Sequence, residues 1–168
     1  MIREATRHDR PAFLQLWQEY QKEQREHGSH VHDSLANLMI HRDLFDAYVT
    51  GSLFGFCLFW TPNKMTEPQA CVMAGEPWGE SRWETDLGKT ATLWGVYVHP
   101  EHRGGGIGLK LERAALPVGL NMGFKTVETF VLVGNPHGER IALGFGTEPR
   151  MAWHTADLQQ VADSLEDT

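Results

Sequence analysis

The chain of 168 residues has few cysteines, no long hydrophobic run and fewer basic than acidic side chains. Its two cysteines, Cys57 and Cys71, provide neither a disulfide framework nor the spacing of a metal site. The best apolar run, over residues 53–60, falls far short of the roughly 18 residues that a membrane-spanning helix needs. The first residues also lack the basic and then apolar pattern of a secretory leader. We therefore expect a cytoplasmic protein with reduced thiols and no membrane partner.

Basic side chains are the minority, because 15 Lys and Arg stand against 22 Asp and Glu and give a formal net charge of −7 at pH 7. A general duplex-DNA binder depends on Lys and Arg to neutralise phosphates, so this charge argues against a nucleic-acid partner. It is compatible with a cationic substrate, although many acidic proteins are merely soluble. With 41% hydrophobic residues, the composition is that of a globular domain.

Hydrophobic periodicity predicts a single α/β domain over residues 1–168 with a mixed sheet. The predicted strands cover residues 2–5, 47–50, 53–60, 92–98, 126–133 and 150–154. The predicted helices cover residues 9–23, 34–45, 106–116 and 136–143. Asp9 is predicted to cap the first helix and Pro117 to end or kink the third. The Gly-Ser pair at 51–52 predicts a hairpin between two of the strands.

Residues 61–90 are interrupted by proline and glycine, and no helical period survives there for long. This segment is predicted to be a long insertion, either a loop or a small subdomain, and long ordered loops are often functional. Trp78 and Trp83 in it are candidates for the wall of a substrate site.

Three histidines and an aspartate near the end of the first predicted helix have the chemistry of metal ligands. They are His27, His30, His32 and Asp33. No predicted strand or helix holds their spacing, and no cysteine cluster completes the set. We therefore interpret this stretch as a loop, and we expect no metal.

Residues 104–106 are three consecutive glycines between the strand that ends at Val98 and the next helix. Without Cβ atoms, successive backbone N–H groups can face one concavity, to which the helix adds its unpaired N–H groups and positive dipole end. Such a turn is a site for phosphate or pyrophosphate. A Walker A loop is excluded because residues 106–108 read Gly-Ile-Gly, and the dinucleotide fingerprint fails at Leu109. A purely structural glycine turn is the alternative.

This segment resembles the GCN5-related N-acetyltransferases (GNAT), which use acyl-coenzyme A. Their signature Arg/Gln-x-x-Gly-x-Gly/Ala is matched by Arg103, Gly106 and Gly108, and their Val-x-Pro-x-x-Arg-Gly lead-in by residues 98–104. Downstream, the family carries an asparagine after the next strand, and Asn135 fits that place.

The resemblance covers residues 91–146 strongly, including the Gly-Phe pair at 144–145 that closes a family helix. Before Trp60 only the order of elements agrees, and residues 61–90 have no counterpart in the family's usual core. The resemblance implies a single-domain α/β fold with a mixed, splayed sheet flanked by helices.

In such a fold, acetyl-CoA or coenzyme A would lie in the gap between two diverging strands. Main-chain groups at the end of the first strand would pair with the pantetheine amides, the glycine loop would hold the pyrophosphate, and an asparagine would contact the pantetheine arm. The cofactor-binding residues implied are Val96, Tyr97, Val98, Arg103, Gly104, Gly105, Gly106, Ile107, Gly108 and Asn135.

Catalysis in the family is direct attack of an amine on the thioester, which needs a base and often an acid. The usual base positions hold Thr92 and Trp94, and the usual tyrosine position holds Arg140 or Ala142, depending on the spacing. Arg140 could stabilise the departing thiolate by its charge, but it cannot protonate it. The remaining candidate bases are Glu128, Glu84 and Asp86.

Three functional hypotheses follow from the resemblance. The first is an acyl-CoA-dependent N-acyltransferase, most simply acetyl, acting on a primary amine of a small molecule or peptide. The second is a module that binds acyl-CoA but has lost catalysis. The third is an acetyltransferase whose target is a protein docked on the loop at 61–90. The predicted C-terminal strand with its acidic tail would also allow a homodimer.

Overall fold

A mixed sheet forms the centre of the computed structural model, which describes residues 1–26, 35–63, 66–76, 89–131, 135, 138–139 and 142. The strands among these residues are β1 (Ile2–Glu4), β2 (Gly55–Trp60), β3 (Ala70–Gly75), β4 (Thr90–Val98) and β5 (Thr126–Thr129). The helices are α1 (Arg10–Glu26), α2 (Leu35–Thr50) and α3 (Ile107–Asn121). The strands lie in the order β1-β2-β3-β4-β5, with antiparallel neighbours except for the parallel pair β4 and β5.

Each face of the sheet has its own apolar cluster. Helices α1 and α2 cover one face, where Phe13, Trp17 and Phe45 pack on Phe59 of β2. Helix α3 covers the other face through a cluster that includes Leu111. The described residues therefore form the α/β arrangement that was predicted, a mixed sheet flanked by helices. None of the helices described is long and apolar enough to cross a membrane.

The predicted strand at 47–50 is wrong, because these residues form the last turn of α2. Tyr48 is buried at helical spacing from Leu44, which keeps the chain helical to Thr50. Gly51 then adopts a φ of +72°, and the N–H of Ser52 donates to the carbonyl of Ala47 at 2.9 Å. The Gly-Ser pair thus ends a helix in a Schellman motif, and the predicted hairpin does not exist.

The interpretation of residues 61–90 as a long loop is also wrong in part, because β3 lies within it at the centre of the sheet. All six residues of β3 are buried. A strand buried on both faces shows no alternation of apolar and polar residues, and the small side chains of this one give a weak strand signal. Trp78 and Trp83 lie outside the described residues.

The third helix continues to Asn121, so Pro117 does not end it. A proline inside a helix leaves the carbonyl four residues earlier without its partner, and here that residue is Arg113. Both residues are exposed, so water can bind the carbonyl. Strand β5 is shorter than predicted, because Phe130 and Val131 lie outside it. Of the segments predicted as a helix over 136–143 and a strand over 150–154, only residues 138–139 and 142 are described, and they are helical.

Asp9 does not cap α1 as predicted, because it belongs to a 3-10 turn over Arg7–Asp9 that precedes the helix. Thr6 is the N-cap of this turn. Asp9 instead accepts a hydrogen bond from the N–H of Thr6 at 2.8 Å and forms two with Arg3, at 2.6 and 2.8 Å. The bonds from the Arg3 guanidinium lower the pKa of Asp9 from 3.8 to about 2. The aspartate therefore ties strand β1 to the start of α1.

Replacement of Asp9 by asparagine is expected to lower the free energy of unfolding at pH 7 by about 2 kcal/mol. Because the folded-state pKa lies below the unfolded-state value, this contribution is complete above pH 4 and is lost as the pH falls towards 2. Urea unfolding of the wild type and of Asp9→Asn across that range measures it. If the difference in the free energy of unfolding between the two proteins were the same at pH 2 as at pH 7, this account would be contradicted.

Candidate active site

Strands β4 and β5 pair only over their first halves, and they then separate. The parallel register runs from Thr90 opposite Thr126 to Leu93 opposite Thr129. Beyond that point β4 continues to Val98, paired with β3 on its other side alone among the described strands. A gap therefore opens along the β5 side of β4, and the predicted splayed mixed sheet is confirmed.

A bulge in β4 lies where the two strands part. Ala74 of β3 pairs with Leu93 and the adjacent Met73 pairs with Gly95, so Trp94 is the extra residue. The indole Nε1 of Trp94 donates to the Tyr48 hydroxyl at 2.9 Å, and that hydroxyl donates to the carbonyl of Glu76. The bulge is thus fastened to helix α2 and to the end of β3.

The glycine loop after β4 is open to a ligand. Gly104 and Gly106 have φ values of +85° and +68°, and a Cβ on either of them or on Gly105 would meet nothing within 4 Å. Gly106 is the N-cap of α3. In the described part of the chain, the backbone N–H groups of residues 104–109 donate to no partner. Unpaired N–H groups at the start of a helix are positively polarised, as the sequence predicts for this turn, and its role in pyrophosphate binding stays a prediction.

Arg103 is held against helix α1 and not aimed into this loop. Its backbone N–H donates to the carbonyl of Pro100, and its Nε donates to the carbonyl of Val98 at 2.9 Å. Its guanidinium makes two hydrogen bonds to the carboxylate of Glu23 and lies over the ring of Tyr97. The backbone N–H of Arg103 is therefore already paired, unlike the N–H groups of the residues that follow it.

Glu128 is the one predicted base among the described residues, and it has a partner in the neighbouring strand. The hydroxyl of Thr92 donates to its Oε1 at 2.8 Å. Thr92 is only 1% exposed and neighbours Leu93, which packs on the α3 side, so the pair lies on the face of α1 and α2. Glu128 is thus oriented one residue before the end of the β4–β5 pairing.

Asn135 also lies among the described residues, where its side-chain oxygen accepts a hydrogen bond from the N–H of Gly138 at 3.0 Å. Its backbone carbonyl accepts from the N–H of Glu139, so Asn135 begins a helical turn. The other predicted site residues fall outside the described part of the chain: Glu84, Asp86, Arg140, His27, His30, His32 and Asp33. Among the residues that are described, no group of three His, Cys, Asp or Glu could hold a metal ion.

Glu112 on α3 is a polar residue that the sequence reasoning missed. It is only 7% exposed, its Oε2 has no hydrogen-bond partner in the described part of the chain, and burial raises the pKa of its carboxyl to about 7. It follows Gly108 by one turn, and Gly108 faces the Val96 and Val98 side chains. Glu112 could have been found from the sequence, because it is an acidic residue within the apolar face of an amphipathic helix.

Comparison of sequences identifies the family. The model of the acetyltransferase (GNAT) family matches residues 3–145. The chain therefore belongs to this family, and the resemblance at the glycine loop is confirmed. Members are N-acetyltransferases, so the chain is an enzyme of that class. No curated protein matches its sequence significantly.

Solved structures of low sequence identity share the fold. A mutant of the BH1408 protein from Bacillus halodurans matches with a TM-score of 0.71 and 20% identity, over 94% of this chain and 98% of that one. Aminoglycoside N-acetyltransferase AAC(6')-Iy, solved with a CoA-linked bisubstrate analogue, has a TM-score of 0.67 and 12% identity over 94% and 97%. A ribosomal-protein-alanine N-acetyltransferase from Brucella melitensis has a TM-score of 0.64 and 13% identity over 94% and 97%.

Proposed function

We propose that this protein transfers the acetyl group of acetyl-CoA to a primary amine of a small cationic molecule or peptide. The observation that carries this proposal is the gap beside β4, which leads directly into the open glycine loop. An extended arm in the gap can pair with the main chain of Val96–Val98, as a further strand would. Its pyrophosphate then meets the free N–H groups at the start of α3.

The donor site accounts for most of the cofactor-binding residues that the resemblance implied. Residues 104–108 supply backbone N–H groups and room, because three of them are glycines with open space in place of a side chain. The Lys110 ammonium, 3.3 Å from the carbonyl of Gly105, adds positive charge at the same loop. Arg103 contributes by fixing the loop against α1, and Asn135 remains a proposed contact to the pantetheine arm.

A cationic acceptor is favoured by the charge beside the gap. Glu19 accepts a hydrogen bond from the Tyr97 hydroxyl, so this carboxylate of α1 lies near the end of β4, whereas that of Glu23 is already paired with Arg103. The formal net charge of −7 acts in the same direction. The two neighbours whose names give an acceptor act on an aminoglycoside and on a ribosomal protein, which are both amine substrates.

Glu128 is the proposed general base. Its carboxylate lies where the strands part and is oriented by the Thr92 hydroxyl, so it can receive the proton that the attacking amine loses, directly or through water. Glu84, Asp86 and Arg140 stay in the proposal by residue type, the first two as bases and Arg140 as a charge that could stabilise the thiolate.

Replacement of Glu128 by glutamine is expected to lower kcat at least tenfold, because the amide still accepts the Thr92 hydrogen bond but cannot take a proton. Acetyl-CoA affinity should stay unchanged. Initial rates with the best amine of a panel, together with calorimetric titration, measure the two effects. Thr92→Val is the companion variant, and a smaller loss of kcat is expected because Glu128 keeps its charge. An unchanged kcat in Glu128→Gln would remove Glu128 as the base.

The function itself is tested by titrating the purified protein with acetyl-CoA and then screening polyamines, an aminoglycoside and N-terminal peptides for release of free CoA thiol. Saturable binding with transfer to one amine class supports the proposal. Binding without transfer to any amine would instead support the acyl-CoA-binding module. If acetyl-CoA did not bind a well-folded protein, both would fail.

A further inference from the structure

Tyr20 on helix α1 lies directly over the bulge of β4. An ideal Cβ on Gly95 would be 2.9 Å from the Cε1, Cζ and hydroxyl oxygen of Tyr20, so the phenol end of this side chain rests on the Gly95 backbone. Gly95 follows the extra residue of the bulge, just beyond the last β4 residue that pairs with β5. The Tyr20 hydroxyl therefore lies against the backbone of β4 next to the bulge, on the face of α1.

Tyr20 is the one tyrosine whose hydroxyl has no partner in the described part of the chain. The chain has three tyrosines. The Tyr48 hydroxyl donates to Glu76 and accepts from Trp94, and the Tyr97 hydroxyl donates to Glu19. The Tyr20 ring itself is held at its sides by Trp17 and Tyr97, with ring centroids 5.0 and 6.1 Å away. A fixed ring with a free hydroxyl is suited to act on a ligand.

The length of the donor brings its thioester to this place. Val98 and Gly95 are separated by three residue steps of β4, or about 10 Å at the rise of a strand. The two amide units of a pantetheine arm have a comparable extended length, since they resemble about three residues of peptide chain. With the pyrophosphate at the glycine loop and the arm along β4, the acyl group reaches the bulge beneath Tyr20.

We propose that Tyr20 is a catalytic residue that hydrogen-bonds the thioester sulfur and protonates it as coenzyme A leaves. This inference rests on the proposed function. The amine nitrogen forms the new bond to the acyl carbon, the carbon–sulfur bond breaks, and its electron pair goes to sulfur. The Tyr20 O–H proton passes to that sulfur, and the proton lost by nitrogen passes through Glu128 and water to restore the phenol. The products are the amide and neutral coenzyme A.

The environment of Tyr20 keeps its hydroxyl available as a hydrogen-bond donor to the sulfur. Burial raises its pKa to about 12, so the hydroxyl is protonated at neutral pH but is a weaker acid than a free phenol, and it gives up its proton only as Glu128 and water return one. The resemblance places the family's usual acidic tyrosine at Arg140 or Ala142, and neither can supply this proton. A hydroxyl from α1 would thus fill the vacant chemical role from a different element of the fold.

Tyrosine labelled with ¹³C at Cζ tests the contact without any acceptor, because only three signals are present and Tyr20→Phe assigns one of them. Acetyl-CoA is expected to move the Tyr20 signal along the same saturation curve that calorimetry gives. Adenosine 3',5'-bisphosphate, which lacks the arm, should leave it in place. The Tyr48 signal serves as the internal control, since that hydroxyl is bonded to Glu76.

The Tyr20→Phe variant allows a kinetic test of the same proposal. Its acetyl-CoA affinity should stay within about twofold, while CoA release to hydroxylamine, a small nucleophile that needs no acceptor pocket, should fall at least tenfold. If acetyl-CoA binds but the Tyr20 signal does not move, or if Tyr20→Phe releases CoA as fast as the wild type, the proposal is overturned while the donor site stands. If calorimetry shows no acetyl-CoA binding, the proposed function fails first and this inference fails with it.

Discussion

Replacement of Gly105 by tryptophan is expected to abolish acetyl-CoA binding in a protein that still folds. The backbone of Gly105 lies outside the left-handed region, and a Cβ there would meet nothing within 4 Å, so the native chain tolerates a side chain without strain. An indole at this place would occupy the concavity that the N–H groups of residues 104–109 surround. Each lost hydrogen bond to a charged phosphate is worth about 1.5 to 3 kcal/mol, so losing two or three weakens binding by roughly 10²-fold or more.

A matched pair of glycines separates this effect from backbone strain. Gly106 and Gly123 have φ values of +68° and +85°, and a Cβ on either would meet nothing within 4 Å, but Gly123 lies beyond the opposite end of α3. Gly106→Trp and Gly123→Trp should therefore lose similar stability, about 1 to 2 kcal/mol. Calorimetry should show that only the first loses acetyl-CoA. Normal binding by Gly105→Trp would exclude the glycine loop as the pyrophosphate site, whatever Gly123→Trp does.

The geometry of the glycine loop could be predicted from sequence because it depends on local chemistry. Three glycines after a strand and before a helix define the turn almost independently of the rest of the chain. The same was not true of β3, whose small buried residues become a strand only through pairing with β2 and β4. Residues 47–50 show the opposite case, since their β-like composition was overruled by the burial of Tyr48 in a helix.

The polar contacts of the candidate site depend on register and could not be predicted. Glu128 was a candidate by residue type, but its partner Thr92 is fixed only by the parallel pairing of β4 with β5. Tyr20 reads in the sequence as one more apolar position of α1. Its place over Gly95 follows from the packing of α1 on the sheet and from the bulge in β4. The bulge could not be predicted, because it is defined by the pairing of β4 with β3 and not by the sequence of β4 alone.

Replacement of Gly75 by alanine is expected to lower the free energy of unfolding by about 3 to 5 kcal/mol, at the upper end for single substitutions. A Cβ at Gly75 would lie 2.5 Å from the Cα of Gly55 and 2.7 Å from the carbonyl oxygen of Phe54, and neither backbone atom can yield without breaking the pairing of β2 with β3. It would also meet the Tyr48 ring at 2.7 Å. Chemical unfolding of the wild type and variant measures the difference.

Gly119→Ala is the matched control, because this α3 glycine would place its Cβ 3.8 Å from Phe56, an ordinary contact. In a helix that change should stabilise the protein by about 0.5 to 1 kcal/mol. The site should respond to Gly75→Ala as well, since displacing Tyr48 withdraws the hydroxyl that holds the Trp94 indole at the bulge. Acetyl-CoA affinity should therefore fall in Gly75→Ala at temperatures where the variant is still folded. Unchanged stability and affinity would mean that the separation of β4 from β5 does not depend on the hydrogen bond between Tyr48 and Trp94.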